Sequence, residues 1–338
     1  MNRVDGSSIH RSQPDARAAR PMKRREHVMT RKLFARSAIA LAMYCACAAA
    51  VAGQHSPSHS PSWGMAAPVA GLNTASAEGC PIESPDGLSL YIASNRPGTL
   101  GGNDIWAADR ADKDSPWSEP QNLGAPVNGE TNDFCPTPIH GRWLLFVSER
   151  PGPETCGAGP GSGDIYLIRQ NAVFGWGEPL HLGCAETGDG PNTIGAEFSP
   201  SLVDTWLGTS LFFSSTVGGN MDLYISRQRW DGSFAPGERI DELSTEFDDR
   251  MPNVSSDGLT IVFSSNRTAT GAMGGQDVYM STRKSLFHRW SRPVNLGPNV
   301  NTAGAETRST LSYDGERLYF GRDGDIYVSK REKGKKKK

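Results

Sequence analysis

Five acidic residues recur along the chain, each directly before a short apolar segment. They are Glu78, Asp133, Glu197, Asp249 and Glu306. Carboxylates gathered at one place could hold a hard cation such as calcium, which takes several oxygen ligands, or form the acid and base of a glycoside-cleaving site. The third interpretation is structural, with each acid accepting backbone N–H groups. Catalysis needs two differently tuned groups, whereas these acids recur in every copy, so the structural role is favoured.

An arginine and an aspartate recur at a second pair of positions. The pairs are Arg96 with Asp104, Arg150 with Asp164, Arg267 with Asp277, and Arg322 with Asp325. Opposite charges on the two strands of a hairpin predict structural ion pairs with hydrogen bonds to the turn. The third copy carries Thr216 and Val217 in place of the arginine, so Asp222 there needs another partner.

The cysteines beyond residue 53 fall into two groups. Cys80 and Cys135 occupy matching positions, in Gly-Cys-Pro and Phe-Cys-Pro, and neighbouring copies would bring them together. Cys156 lies in a long loop of the second copy, and Cys184 lies in the connection that follows it. In an oxidising compartment this arrangement predicts the disulfides Cys80–Cys135 and Cys156–Cys184.

The remaining reactive residues form no recognisable site. His140, His181 and His288 are scattered without the spacing of zinc ligands. The chain has neither a nucleophile elbow nor a phosphate-binding loop. Trp143 and Trp206 lie in divergent copies and are interpreted as core residues. No cofactor is therefore expected, apart from a cation such as calcium that the five acids could hold.

All these residues belong to a pattern that is written five times between Trp63 and Lys330. The full pattern combines a segment ending in Asp-Gly, a Leu-Tyr-Phe-Ser-like run, an Asp-Ile-Tyr run and a Trp-x-x-Pro segment, and the second and third copies diverge from it. A period of roughly 50–60 residues is typical of arrays whose units bury their apolar faces against neighbours. Four short antiparallel segments per copy predict an all-β, five-bladed β-propeller with four strands in each blade.

The fifth copy ends without its last segment, and the missing piece lies at the other end of the repeat. Asn-Thr-Ala-Ser-Ala-Glu at 73–78 echoes Asn-Thr-Ala-Gly-Ala-Glu at 301–306, and Trp63 precedes the first as Trp290 precedes the second. An unpaired blade edge would promote aggregation. We therefore expect residues 63–70 to form the outer strand of the last blade and to close the ring.

The combination of Ser-x-Asp-Gly, Phe-x-Ser-x-Arg, Asp-Ile-Tyr and Trp-x-x-Pro-x-Asn-Leu-Gly resembles the WD40-like β-propeller repeat (the PD40 family) of TolB-type exported proteins. The resemblance extends over residues 63–330 and is specific for the fold, not for an activity. It implies interaction with envelope proteins or with peptidoglycan-associated partners.

The first residues have the composition of a targeting segment. Residues 1–53 carry 10 basic and 3 acidic side chains, and a basic region precedes an apolar run over 38–52. The run is too short and too alanine-rich to span a membrane well. We expect a cleaved export signal over 1–53, a linker over 54–62, the propeller over 63–330 and a disordered basic tail over 331–338. The protein would then be periplasmic or secreted.

The charge of the body limits the partners. Residues 54–329 hold 18 basic and 33 acidic residues, which argues against nucleic acid as a partner. The sequence predicts an exported, non-catalytic and monomeric propeller that binds or scaffolds an envelope or extracellular protein, or a glycan. The alternative is a glycoside hydrolase or lyase of the five-bladed propeller type. It would use the five acids, because the first strands of a propeller line its central channel and would place these carboxylates in a ring at one mouth of the channel.

Overall fold

Short strands and turns make up the described chain. The structure is a computed structural model that describes residues 62–153, 156, 162–269 and 271–332. The predicted export signal, the linker up to residue 61 and tail residues 333–338 lie outside the described residues. No helix among the described residues is long and apolar enough to cross a membrane.

The strands fall into five antiparallel sheets, which are numbered here as blades 1 to 5 in chain order. Blade 1 contains β2 (Glu78–Glu83), β3 (Ser89–Ser94), β4 (Asp104–Asp109) and β5 (Gln121–Asn122). Blade 2 contains β6 (Asp133–Ile139), β7 (Trp143–Ser148), β8 (Asp164–Asn171), β9 (Gly175–Trp176) and β10 (Leu180–His181). Blade 3 contains β11 (Glu197–Thr205), β12 (Gly208–Ser215), β13 (Asp222–Arg227) and β14 (Glu238–Arg239). Blade 4 contains β15 (Asp249–Val254), β16 (Thr260–Ser265), β17 (Asp277–Thr282) and β18 (Val294–Asn295). Blade 5 contains β19 (Glu306–Leu311), β20 (Arg317–Arg322), β21 (Asp325–Lys330) and β1 (Ala67–Pro68).

The blades form a closed ring around their first strands. Within each blade the strands follow one another from the axis outwards, and the first strands contact in the order β2, β6, β11, β15, β19 and back to β2. This confirms the predicted five-bladed propeller of four-stranded antiparallel blades; in blade 2 the outer position is divided between β9 and β10, which both pair with β8. Each outermost strand has only two residues. Such a short outer strand limits the backbone edge that is open to unwanted pairing.

The N-terminal strand closes the ring as predicted. Strand β1 pairs with β21, with Ala67 opposite Val328 and Pro68 opposite Tyr327. Just beyond it, the Asn73 side chain accepts a hydrogen bond from the Ile326 N–H at 2.7 Å and donates one to the Ile326 carbonyl at 3.1 Å. A side chain from one end of the repeat therefore fixes the last blade.

Five hydrophobic clusters correspond to the five contacts between neighbouring blades. The cluster between blades 3 and 4, for example, joins Phe212 to Phe263 and Trp290. The other four clusters likewise draw their side chains from two adjacent blades each. Each blade therefore buries its two faces only against its neighbours, as expected for a repeat array.

Every first strand contains a bulge at the same position. The residue two places after the initial acid has a φ of 48° to 59°, and the pairing register shifts there. These residues are Cys80, Cys135, Ser199, Met251 and Arg308. Proline follows the first four of them. A bulge leaves its extra residue out of the ladder, so the missing proline N–H is tolerated there.

Candidate functional site

The five predicted acids begin the five first strands, and all are buried. Glu78 is 3% exposed and the other four are fully buried. In blade 3, Glu197 accepts hydrogen bonds from the Thr193 N–H at 3.0 Å, the Thr193 hydroxyl at 2.6 Å and the Ser215 hydroxyl at 2.7 Å. Threonines at the matching position bond Glu78, Asp249 and Glu306. Each of these carboxylates thus ties the preceding connection to its own blade.

The structure corrects the partner of the recurring arginine. Arg96, Arg150, Arg267 and Arg322 pair with the acid that starts the first strand of their own blade, not with the aspartate of Asp-Ile-Tyr. The four pairs are Arg96–Glu78 (3.2 Å), Arg150–Asp133 (2.8 Å), Arg267–Asp249 and Arg322–Glu306 (2.8 Å).

Hydrogen bonds explain why the arginine turns towards the axis. The Nε of Arg96 donates to the Ser94 hydroxyl at 3.0 Å, and its Nη2 donates to the Leu72 carbonyl at 2.7 Å. The guanidinium group therefore binds the end of its strand and the chain that arrives from the previous blade. Matching carbonyl bonds are made by Arg150, Arg267 and Arg322.

The aspartates of Asp-Ile-Tyr bind on the other side of the hairpin. Asp104 accepts the Leu100 N–H at 2.7 Å and the Asn122 amide at 2.7 Å. Asp277 binds Met273 and Asn295 in the same way. Asp164 faces His181 instead. Asp325 lies directly opposite Arg322 in the strand register, although Arg322 directs its side chain to Glu306. Asp104 and Asp277 thus hold the loop and the outer strand of their blades.

Blade 3 differs because it lacks the arginine. Asp222 is instead bound by both Nε and Nη2 of Arg239, at 2.7 Å and 3.0 Å. Glu197 has no cation in contact among the described residues, and burial raises its pKa from 4.5 to about 8. At neutral pH this carboxyl is therefore mostly protonated. Thr216 and Val217, in place of the arginine, were the sequence signal for this difference.

The axis is occupied by the bulge residues. The disulfide Cys80–Cys135 joins blades 1 and 2, and the Ser199 hydroxyl lies 3.3 Å from the Cys135 sulfur. The second disulfide, Cys156–Cys184, also forms. Both predicted pairings are therefore confirmed.

Arg308 is the residue at the axis that sequence reasoning missed. Its guanidinium is fully buried and lies within 3.4 Å of the carbonyls of Pro136, Pro200 and Pro252, which belong to three other blades. It also donates to the Thr137 hydroxyl at 3.0 Å. Burial lowers the pKa of Arg308 to about 9, so it stays charged at neutral pH. The sequence did contain a signal for this role, because Arg308 is the one charged residue among the five bulge positions.

Exposed aromatic side chains lie on the turns that join the first strand to the second and the third to the fourth. Trp206, which the sequence assigned to the core, is 75% exposed and meets Phe287 edge to face at 5.5 Å. Phe174 and Trp230 are also exposed on such turns. Trp143 is half-buried beneath Arg169. In a four-stranded antiparallel blade these turns lie at one end, opposite the acids. We call Phe174, Trp206, Trp230 and Phe287 the aromatic turn face.

These positions limit what the acids can do. A glycoside-cleaving pair needs two carboxyl groups about 5–10 Å apart that both reach the substrate. The five acids are buried and already hydrogen-bonded to threonine, serine, backbone or arginine groups. The axis beside them holds Arg308 and the Cys80–Cys135 disulfide. The geometry therefore supports the structural interpretation of the acids, and cation binding by them stays a prediction.

No protein-family model matches the chain. No curated protein matches it either. Solved structures do resemble its fold. An endo-arabinase from Bacteroides thetaiotaomicron is 16% identical, with a TM-score of 0.51, over 81% of this chain and 99% of that one. An α-L-arabinofuranosidase from Podospora anserina, in complex with cellotriose, is 14% identical with a TM-score of 0.51, over 80% and 97%.

A TolB protein from Acinetobacter baumannii is 14% identical, with a TM-score of 0.40, over 78% of this chain and 56% of that one. At such low identities these similarities describe the fold. The propeller fold is thus shared with the endo-arabinase and the arabinofuranosidase, and a fold of this kind does not fix an activity.

Proposed function

We propose that this chain is an exported, non-catalytic β-propeller that binds a protein or a glycan of the cell envelope or the extracellular space. The observation that carries the proposal is the exposed pair Trp206 and Phe287 on the aromatic turn face. Large exposed aromatic side chains are enriched at binding surfaces, where they supply apolar area at low entropic cost. Export is supported by the basic and apolar leader and is consistent with the two disulfides.

Glycoside hydrolysis is the second candidate because the chain shares its fold with an endo-arabinase and an arabinofuranosidase. Glu197, whose pKa is raised to about 8, also has the protonation state of a general acid. Against this candidate, Glu197 is fully buried and its carboxyl contacts Thr193 and Ser215. We therefore place binding first.

One set of variants tests both candidates. Purified protein is applied to a glycan array and to peptidoglycan sacculi, and a photo-crosslinking residue at position 207, next to Trp206 on the same exposed turn, captures protein partners in the native envelope. Trp206→Ser should reduce capture at least tenfold. The matched control is Val217→Ser, which changes an exposed apolar residue at the opposite end of the same blade.

The outcomes separate the candidates. Equal binding by the two serine variants, or no capture by any probe, would contradict the proposed binding face. Release of reducing sugar from arabinan or xylan, abolished by Glu197→Gln, would establish the hydrolase instead.

A further inference from the structure

Blade 2 departs from the repeat at the outer strand. The Asn-Leu-Gly of blades 1 and 4 is replaced by His181, Leu182 and Gly183. His181 takes over the contacts of the asparagine: its Nε2 lies 3.1 Å from Asp164 Oδ2, and the Gly183 N–H donates to its Nδ1 at 3.1 Å. Asn122 makes the same two contacts in blade 1. The imidazole ring of His181 therefore occupies the position that the amide of Asn122 fills in blade 1 and the amide of Asn295 fills in blade 4.

Both cysteines of the second disulfide lie beside this ring. The Cys156 sulfur is 3.8 Å from His181 Nε2, and the donor atoms of Cys156, His181 and Cys184 all lie within 4.8 Å of one another. Zn–S and Zn–N bonds of about 2.3 and 2.0–2.1 Å at a tetrahedral angle place sulfur and nitrogen roughly 3.5 Å apart. The distance of 3.8 Å between Cys156 Sγ and His181 Nε2 is close to this value. Both sulfurs are buried, and His181 is partly accessible.

We propose that reduction of the Cys156–Cys184 disulfide creates a site for one zinc-like divalent cation, bound by the two thiolates and the His181 imidazole. A dithiol reductant supplies two electrons and two protons to the sulfur–sulfur bond and becomes a disulfide itself. The cation then displaces both thiol protons. Ligation through Nε2 requires the ring proton to move to Nδ1, so His181 gives up both its hydrogen bond to Asp164 and the one that it accepts from the Gly183 N–H. The disulfide and the metal complex are therefore mutually exclusive states.

A purely structural role for His181 makes a different prediction. The histidine would only replace Asn122 and Asn295 of the other blades, and the cysteines would only join the loop of residue 156 to the connection at Cys184. In that case reduced protein would have no more affinity for zinc than any protein with exposed thiols.

Co²⁺ is the probe because its tetrahedral thiolate complexes absorb visible light. Full-length protein is reduced with a dithiol, freed of reductant without air, and titrated with Co²⁺ and then with Zn²⁺. We expect one Co²⁺ per chain with thiolate-to-metal and tetrahedral d–d absorption, displacement by Zn²⁺, and no such spectrum for oxidised protein. His181→Asn should weaken binding at least tenfold. It restores the residue of blades 1 and 4, so the fold should be kept.

His140→Asn is the matched control, because it makes the same change at an exposed histidine in the same blade. It should bind Co²⁺ like wild type. Cys156→Ser provides a second test, since it removes a thiolate, and it should also lose the spectrum. Absence of the tetrahedral spectrum from reduced wild-type protein would overturn the proposal. Equal affinity of His181→Asn and His140→Asn would overturn it as well, whatever the outcome for the aromatic turn face.

Discussion

At the scale of single residues, the same position has different chemistry in different blades. Glu306 and Glu197 both start a first strand, are fully buried and are bonded by a threonine four residues earlier. Glu306 also binds Arg322, whereas blade 3 has no such arginine and the pKa of Glu197 rises to about 8. A neighbouring cation offsets the desolvation that a buried carboxylate otherwise suffers. Burial therefore raises the pKa of Glu197 with no contacting arginine to offset it.

Glu197 should make stability depend on pH. Its pKa is higher in the folded state, about 8, than its ordinary value of 4.5, so the folded protein holds the proton over this interval. The free energy of unfolding then falls as pH rises through the window, by up to about 1.4 kcal/mol per pH unit, and the contribution is lost above pH 8. Glu197→Gln, which resembles the protonated acid, should remove this slope. Urea denaturation at pH 6 and pH 8 measures it.

The control for this prediction is Glu306→Gln. It removes the carboxylate from a buried pair with Arg322, so it should lower the free energy of unfolding by about 3–5 kcal/mol at both pH values. Glu197→Gln should cost far less at pH 8. An unchanged pH slope in Glu197→Gln would show that another group is responsible.

At the scale of elements, β1 has only two residues, like the other outer strands, yet it has a large effect on stability. It covers the edge of β21, and the neighbouring Trp63 and Val69 are buried between blades. A chain that starts at residue 71 should therefore melt about 10 °C or more below one that starts at residue 62. Loss of a buried tryptophan alone costs about 3–5 kcal/mol, and each kcal/mol shifts the midpoint by about 2–4 °C in a domain of this size. Calorimetry of the two chains is the measurement, and equal midpoints would contradict the closure by β1.

The strand pattern was predictable because it depends on local repetition, but the ion pairs were not. The outer strand of the last blade could be predicted because residues 73–78 have nearly the same sequence as residues 301–306, which follow the outer strand of blade 4. The partner of Arg96 could not, because Ser94 lies opposite Glu78 on one side and opposite Asp104 on the other. Two carboxylates thus flank the strand end that carries the arginine. The sequence spacing favoured Asp104, which is nearer to Arg96 along the chain. In the structure Arg96 pairs with Glu78 instead, because its guanidinium also binds the connecting chain at Leu72.

At the scale of the whole molecule, the five copies repeat the packing between neighbouring blades but differ at the axis. Each pair of neighbouring blades shares one hydrophobic cluster. The bulge residues differ: two form a disulfide, Ser199 contacts one of its sulfurs, and Arg308 crosses the axis to three other blades. Among these bulge residues, Arg308 of blade 5 is the one that contacts blades 2 and 3, which are not its neighbours.

Arg308 should accordingly stabilise the whole ring. Arg308→Ala leaves a cavity at the axis and removes the donors of the Pro136, Pro200 and Pro252 carbonyls. We expect the free energy of unfolding to fall by about 2–4 kcal/mol. The loss is partly offset, because a buried guanidinium with a lowered pKa no longer has to be desolvated. Urea denaturation followed by tryptophan fluorescence measures the change.

Arg289→Ala provides the comparison for Arg308→Ala, since that arginine is exposed on a turn of blade 4 and its removal should alter stability by less than about 0.5 kcal/mol. Arg308→Met is informative as well, because Met251 already fills the equivalent bulge in blade 4. It should fill the space without supplying donors, and its stability should lie between those of wild type and Arg308→Ala. If Arg308→Met were as stable as wild type, apolar filling of the axis, rather than the hydrogen bonds to three blades, would be what holds the ring together.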